Sequence, residues 1–122
     1  MAKYEQELQG DFDRLLQRIE RGILNGSASA SYEDGSDHAN GSVRCAVRVY
    51  ERYSMLGGNR VSLNVTLVGE DDDLFLSAIT SGGSQAVLFK INTLGEESFL
   101  ECLVEIVEQY IKEGRQIEHR LF

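Results

Sequence analysis

A chain of 122 residues with 42% hydrophobic and 26% charged content has the length and apolar fraction of one globular domain able to bury its own core. Its formal net charge of −8 opposes non-specific binding to nucleic acid or to an anionic membrane surface. Cys45 and Cys102 stand far apart in no metal or redox spacing, so each reads as a small buried hydrophobe in a reduced, cytoplasmic setting.

The amino terminus, MAKYEQELQGDFD, carries acids where a secretion signal needs an apolar stretch, and no apolar run approaches the ~20 residues of a membrane span. Residues 3–8 alternate as a first strand. Gly10-Asp11 then opens a helix, with Asp11 as N-cap and Phe12, Leu15, Leu16, Ile19 and Ile23 recurring on one face. Asn25-Gly26 predicts a left-handed stop. The chain has no proline, so its turns fall to Gly, Asn, Asp and Ser, at 24–27, 33–42, 54–59, 69–73 and 81–85.

Strand signals follow. In SASASY, at 27–32, Ala28, Ala30 and Tyr32 alternate with serines. In VRCAVRVYERY, at 43–53, Val43, Cys45, Val47 and Val49 are expected to face the helices, with Arg44, Arg48, Tyr50 and Arg52 looking away. In RVSLNVTLV, at 60–68, Val61, Leu63, Val65 and Leu67 are the core positions. A three-residue loop between these two strands would set Arg52 against Arg60, a like-charged pair. A five-residue loop, which pairs Arg52 with Ser62, Tyr50 with Asn64 and Arg48 with Thr66, is therefore expected.

LFLSAIT and AVLFKI are apolar on both faces and read as further strands. Placing Phe75, Ile79, Val87, Phe89 and Ile91 inward leaves Leu74, Leu76, Ala78, Ala86 and Leu88 outside, an open apolar patch that something should cover. The stretch between them, TSGGSQ, is read as a bend with Gly82-Gly83-Ser84 as its loop. A phosphate cradle would need a helix to follow the glycines. The last element is a helix over about 94–112. A Thr93-x-x-Glu96 capping box opens it, and Phe99, Leu100, Leu103, Val104, Ile106, Val107, Tyr110 and Ile111 form its apolar face.

The order β-α-β-β-β-β-α, with one apolar face per helix, predicts an α+β two-layer sandwich: an antiparallel sheet with both helices packed on one side. Residues 1–113 form a single domain and 114–122 a tail.

Chemistry is harder to find. GEDDD reads as a solvated hairpin tip, because its spacing is not that of a calcium loop. Asp34, Asp37 and His38 share a long polar loop with no placed nucleophile. No catalytic residue, metal site or cofactor is assigned, and an enzyme is not expected. The binding candidates are Arg44, Arg48, Tyr50 and Arg52 on the open sheet face, with Arg60 one strand over. A non-enzymatic binding or assembly module acting through that face is the expected function, with a homodimer as the expected cover. The alternative is a small-ligand carrier with a cavity between the last helix and the sheet, suggested by Phe89, Phe99 and Tyr110.

The element order resembles one repeat of the TATA-box-binding-protein-like architecture, which includes the helix-grip ligand carriers; that likeness is topological and implies no function. Nucleic-acid binding stays disfavoured by the acidity. The run ILNGSASASYEDGSD, then VRCAVRVYERYS, GGNRVSLNVTL and SAITSGGSQAVLFKINTLGEESFL resembles a small bacterial family of unknown function over residues 3 to about 112. The resemblance implies a cytosolic stand-alone protein with no assigned activity, and no catalytic residues follow from it.

Overall fold

Asp11 caps the first helix, its carboxylate accepting from the Arg14 N–H at 2.9 Å. The helix that follows, α1 (Phe12–Gly26), buries Phe12, Leu15, Ile19 and Ile23, the stripe its spacing predicts. It ends without a left-handed residue: Ser27 takes the C-cap in an extended conformation. The structure, a computed structural model, describes residues 1–53, 59–82 and 89–121, and within the last helix the side chains of 95–116.

The element order is β1 (Ala2–Gln9), α1, β2 (Ser31–Asn40), β3 (Val43–Tyr53), β4 (Arg60–Glu70), β5 (Asp73–Gly82) and α2 (Phe89–Leu121). The strands form one antiparallel sheet in the order β1-β5-β4-β3-β2, with β4 central and β1 and β2 at the edges. Both helices pack on one face, as expected for the two-layer α+β class. Leu15, Ile19, Phe99, Leu103 and Val107 meet Val61, Leu63, Val65, Leu67, Leu74, Leu76 and Ala78 in one core. No helix among the described residues is long and apolar enough to cross a membrane.

Several boundaries differ from expectation. The polar stretch expected as a loop at 33–42 is mostly β2, and the turn shrinks to Gly41-Ser42, with Gly41 at φ 61°. An edge strand needs only one ladder partner and no apolar face, so a polar sequence suffices. AVLFKI does not supply a strand at its end, since Phe89, Lys90 and Ile91 are helical. β5 has β1 on one edge and β4 on the other, and Ala86, Val87 and Leu88 lie outside the described residues. The expected Gly82-Gly83-Ser84 loop runs into 83–88, outside the described residues.

Because α2 starts at Phe89, Thr93 lies inside it and the Thr93/Glu96 capping box does not form. Glu96 is instead buried against the sheet. Its carboxylate takes the Met1 ammonium at 2.5 Å, and its carbonyl accepts the Thr80 hydroxyl at 3.2 Å. Helix α2 also continues through the segment read as a tail, to Leu121.

Candidate interaction surface

Hairpin registers decide which side chains face outward. Asp71 and Asp72 form the β4–β5 turn, with Asp71 at φ 53° and Glu70 paired with Asp73. Leu67 therefore meets Leu76 and Leu63 meets Thr80 on the helix side, while Val68 meets Phe75 and Asn64 meets Ile79 on the outer side. Leu74, Leu76 and Ala78 are core residues, and the outward patch expected from them does not exist.

The β3–β4 hairpin departs by a single residue. Tyr53 pairs with Arg60, so Arg52 meets Val61, Tyr50 meets Leu63 and Arg48 meets Val65. Positions 54–59 lie between the paired residues, one more than the expected loop, and 54–58 are outside the described residues. Side chains alternate with period two, so a one-residue slip turns the whole strand over. Arg44, Arg48, Tyr50 and Arg52 lie on the helix side; Val43, Cys45, Val47 and Val49 lie on the outer side.

Arg44 and Arg52 are therefore braces between layers, Arg48 ties β3 to β2, and the three form no outward stripe. The Arg44 guanidinium lies 4.2 Å over the Phe12 ring and donates to both carboxylate oxygens of Asp13, at 2.8 and 3.0 Å. Its hydrogen bond holds the Asp13 carboxyl below the ordinary value of 3.8. Arg52 lies 4.6 Å over Phe99 and donates to Ser98 Oγ at 2.9 Å. Arg48, with a side chain only 16% exposed, donates to both oxygens of Asp37 and to the Val47 and Ser36 carbonyls. These long stems cover apolar surface where the helical layer thins, and their heads reach polar partners at its rim.

Tyr50 is fully buried between them, edge-on to Tyr32 at 6.0 Å. Its hydroxyl has no hydrogen-bond partner among the described residues, and burial pushes its pKa up. Arg60 alone of the five faces outward, held by Glu51 at 2.8 Å and Glu33 at 2.9 Å. The five residues do not converge on a common site.

The outer face carries a different set, organised in rows that run across all five strands. One row reads Lys3–Ile79–Asn64–Val49–Asp34 and the next but one Glu7–Phe75–Val68–Cys45–His38; between them runs Glu5–Ser77–Thr66–Val47–Ser36. Ile79 and Val43 are 41% and 38% exposed. A hollow of about 530 Å³ opens on this face beside Glu7, Val43, Val68, Glu70, Asp73 and Phe75. Among the described residues nothing packs over the face, because both helices lie behind the sheet. The surface is thus an apolar band of six side chains (Val43, Cys45, Val47, Val49, Val68 and Phe75), with Ile79 set apart from it by Asn64 and Ser77, and a rim of Lys3, Glu5, Glu7, Asp34, Glu70 and Asp73. The signal for it was present in the chain. Given a two-residue Asp71-Asp72 turn, the inward Val61, Leu63, Val65 and Leu67 force Leu74, Leu76 and Ala78 inward and Phe75 and Ile79 outward.

No cluster of three or more His, Cys, Asp or Glu able to hold a metal occurs among the described residues.

The fold and this face define a two-layer α+β domain with one covered and one open sheet surface. The chain belongs to a family of unknown function, DUF6054, whose model matches residues 1–111. The comparisons with curated proteins and with solved structures give no match.

Proposed function

We propose that the protein is a non-enzymatic assembly module that works through its outer sheet face, and that the occupant of that face is a second copy of the chain. The observation that carries this reading is the apolar band on β3, β4 and β5. Contiguous apolar surface of that kind on an open sheet marks an interaction site. Five strands at about 4.8 Å and four row intervals at about 6.8 Å make a face of roughly 24 Å by 27 Å. That gives about 650 Å² per copy and roughly 1,300 Å² in all, within the range of specific interfaces. The acidic rim repels phosphate backbones and so favours a protein over a nucleic acid.

The groups that suggested a ligand carrier are used in packing. Phe99 lies under Arg52 at 1% exposure, and the Tyr110 hydroxyl accepts from the Asp11 N–H at 2.8 Å. The Phe89 side chain is outside the described residues.

Cys45 reports on the face directly. In a Cys102→Ser background its alkylation rate should fall as protein concentration rises, because a second copy covers it. A Phe75→Lys substitution should remove that concentration dependence. A rate independent of concentration in both proteins would sink the reading.

A further inference from the structure

The rows of the outer face carry a symmetry that specifies how two copies meet, and this inference rests on the assembly reading above. β4 is the central strand, and β1 and β2 lie the same number of strands away on its two sides. A two-fold axis running along β4 in the plane between two stacked faces therefore sets β1 of one copy over β2 of the other. It also sets β5 over β3, with each row over its own counterpart. In the row Lys3–Ile79–Asn64–Val49–Asp34 that operation places Lys3 over Asp34 of the second copy and Ile79 over Val49. In the row Glu7–Phe75–Val68–Cys45–His38 it places Glu7 over His38, Phe75 over Cys45, and Val68 over itself. Every contact on such an axis occurs twice, as an isologous interface requires.

We infer that the protein forms a homodimer by stacking outer sheet faces about a two-fold axis along β4, with Lys3 of each copy paired to Asp34 of the other. Stacked sheets lie about 10 Å apart and cross at about 30°. A lysine opposite an aspartate has the reach to close such a gap at a sheet edge. Lys3 bonds Glu5 at 3.0 Å within the chain and Asp34 accepts the Gly35 N–H at 2.8 Å, both at exposed positions where exchange of partners costs little. The competing two-fold, perpendicular to the strands, sets β1 over β1. It confronts Glu5 with Glu5 and sets Asn64 against Val68, although it also brings Lys3 over Glu7. On the proposed axis no acid of β1 meets another acid. The like-charged meetings there are Glu70 with its own mate and Arg60 with its own mate, at the two ends of β4, where Glu70 has solvent to turn into and Arg60 keeps Glu33 and Glu51 beside it. Rim charges of this kind select orientation more than they add affinity.

The arrangement predicts a charge-swap experiment on the intact chain, read by sedimentation equilibrium. Lys3→Glu alone sets a second carboxylate against Asp34, and Asp34→Lys alone sets two lysines together, so each variant should dimerise about tenfold more weakly than wild type. Mixed one to one, the two variants restore opposite charges across the heterodimer, and wild-type affinity should return. Thermal melting of each variant at unchanged temperature keeps folding out of the comparison, since both side chains are exposed. A second readout is a short bismaleimide on Val68→Cys in a Cys45→Ser, Cys102→Ser background, where residue 68 should cross-link to its own mate. A wild-type dimer whose variants show no rescue on mixing, with no 68-to-68 cross-link, overturns the axis and leaves the sheet-face reading standing. A wild-type monomer throughout overturns both.

Discussion

The guanidinium of Arg52 lies 4.6 Å over the ring of Phe99, and so ties the end of β3 to α2. Phe99 is buried on its other side in the core, and Arg52 also donates to Ser98 Oγ at 2.9 Å. Arg52→Ala should therefore lower stability by about 1–2 kcal/mol, through lost stacking and lost stem packing, with Arg52→Lys in between. Urea unfolding gives the comparison. An Arg52→Ala midpoint equal to wild type would place this side chain in solvent.

Arg48 is also predicted to be a stability position. Its reversal to Glu leaves Asp37 and two backbone carbonyls without their donor and sets a carboxylate among acceptors. The melting temperature should fall, and dimer affinity per folded molecule should not change.

Tyr50 gives the opposite sign to the usual loss for a buried tyrosine. Its hydroxyl is buried with no partner among the described residues, so Tyr50→Phe removes a desolvated polar group without breaking a hydrogen bond. The change should be neutral or stabilising by up to about 1 kcal/mol. A loss of more than about 1 kcal/mol in the urea midpoint would mean that the hydroxyl is bonded.

Gly35 is held to glycine by contact. A Cβ there would stand 2.6 Å from the Tyr32 hydroxyl oxygen and 2.9 Å from the Val47 carbonyl oxygen. Gly to Ala inside a strand ordinarily gains stability, yet Gly35→Ala should lose about 1–3 kcal/mol. Adding Tyr32→Phe should recover only part of the loss, because the carbonyl contact remains.

Acid should weaken the fold. Asp13 is held below its ordinary 3.8 by Arg44, and Glu113 below its ordinary 4.5 by Arg18. A lowered folded-state pKa contributes stability that is complete above the ordinary value and disappears as pH falls through the lowered one. The urea midpoint should therefore decline from about pH 4.5 downward, and less steeply in the Arg18→Gln, Arg44→Gln double variant. Both carboxylates are exposed, so the difference in slope is small.

The layer arrangement was legible because its signals are local and redundant. The α1 stripe, the Asp11 cap and the alternation of β4 each point the same way. What was not legible depends on loop length. In β3 one alternate set is Val43, Cys45, Val47 and Val49, the other Arg44, Ala46, Arg48, Tyr50 and Arg52. Hydrophobicity alone selects the first set for the core. The structure selects the second, because Ala46 and Tyr50 fill the space under the helices and the arginine stems cover Phe12 and Phe99. The Tyr53–Arg60 pair that enforces this choice sits at the end of a loop whose length the residues do not announce. A one-residue error in that pair moves the candidate site from the outer valines to the inner arginines. β2 is hidden for a related reason, since a one-sided edge strand needs no hydrophobic alternation.

Sedimentation equilibrium of the wild-type chain beside Val68→Lys tests the assembly surface most directly, because Val68 lies on the central strand of the outer face, between Cys45 and Phe75. Wild type should sediment at twice the chain mass in the micromolar range, and Val68→Lys at the chain mass, with the melting temperature that wild type shows when diluted below its dimer range. A wild-type protein that stays at the chain mass at every concentration, or a Val68→Lys protein that dimerises as wild type does, would contradict the account.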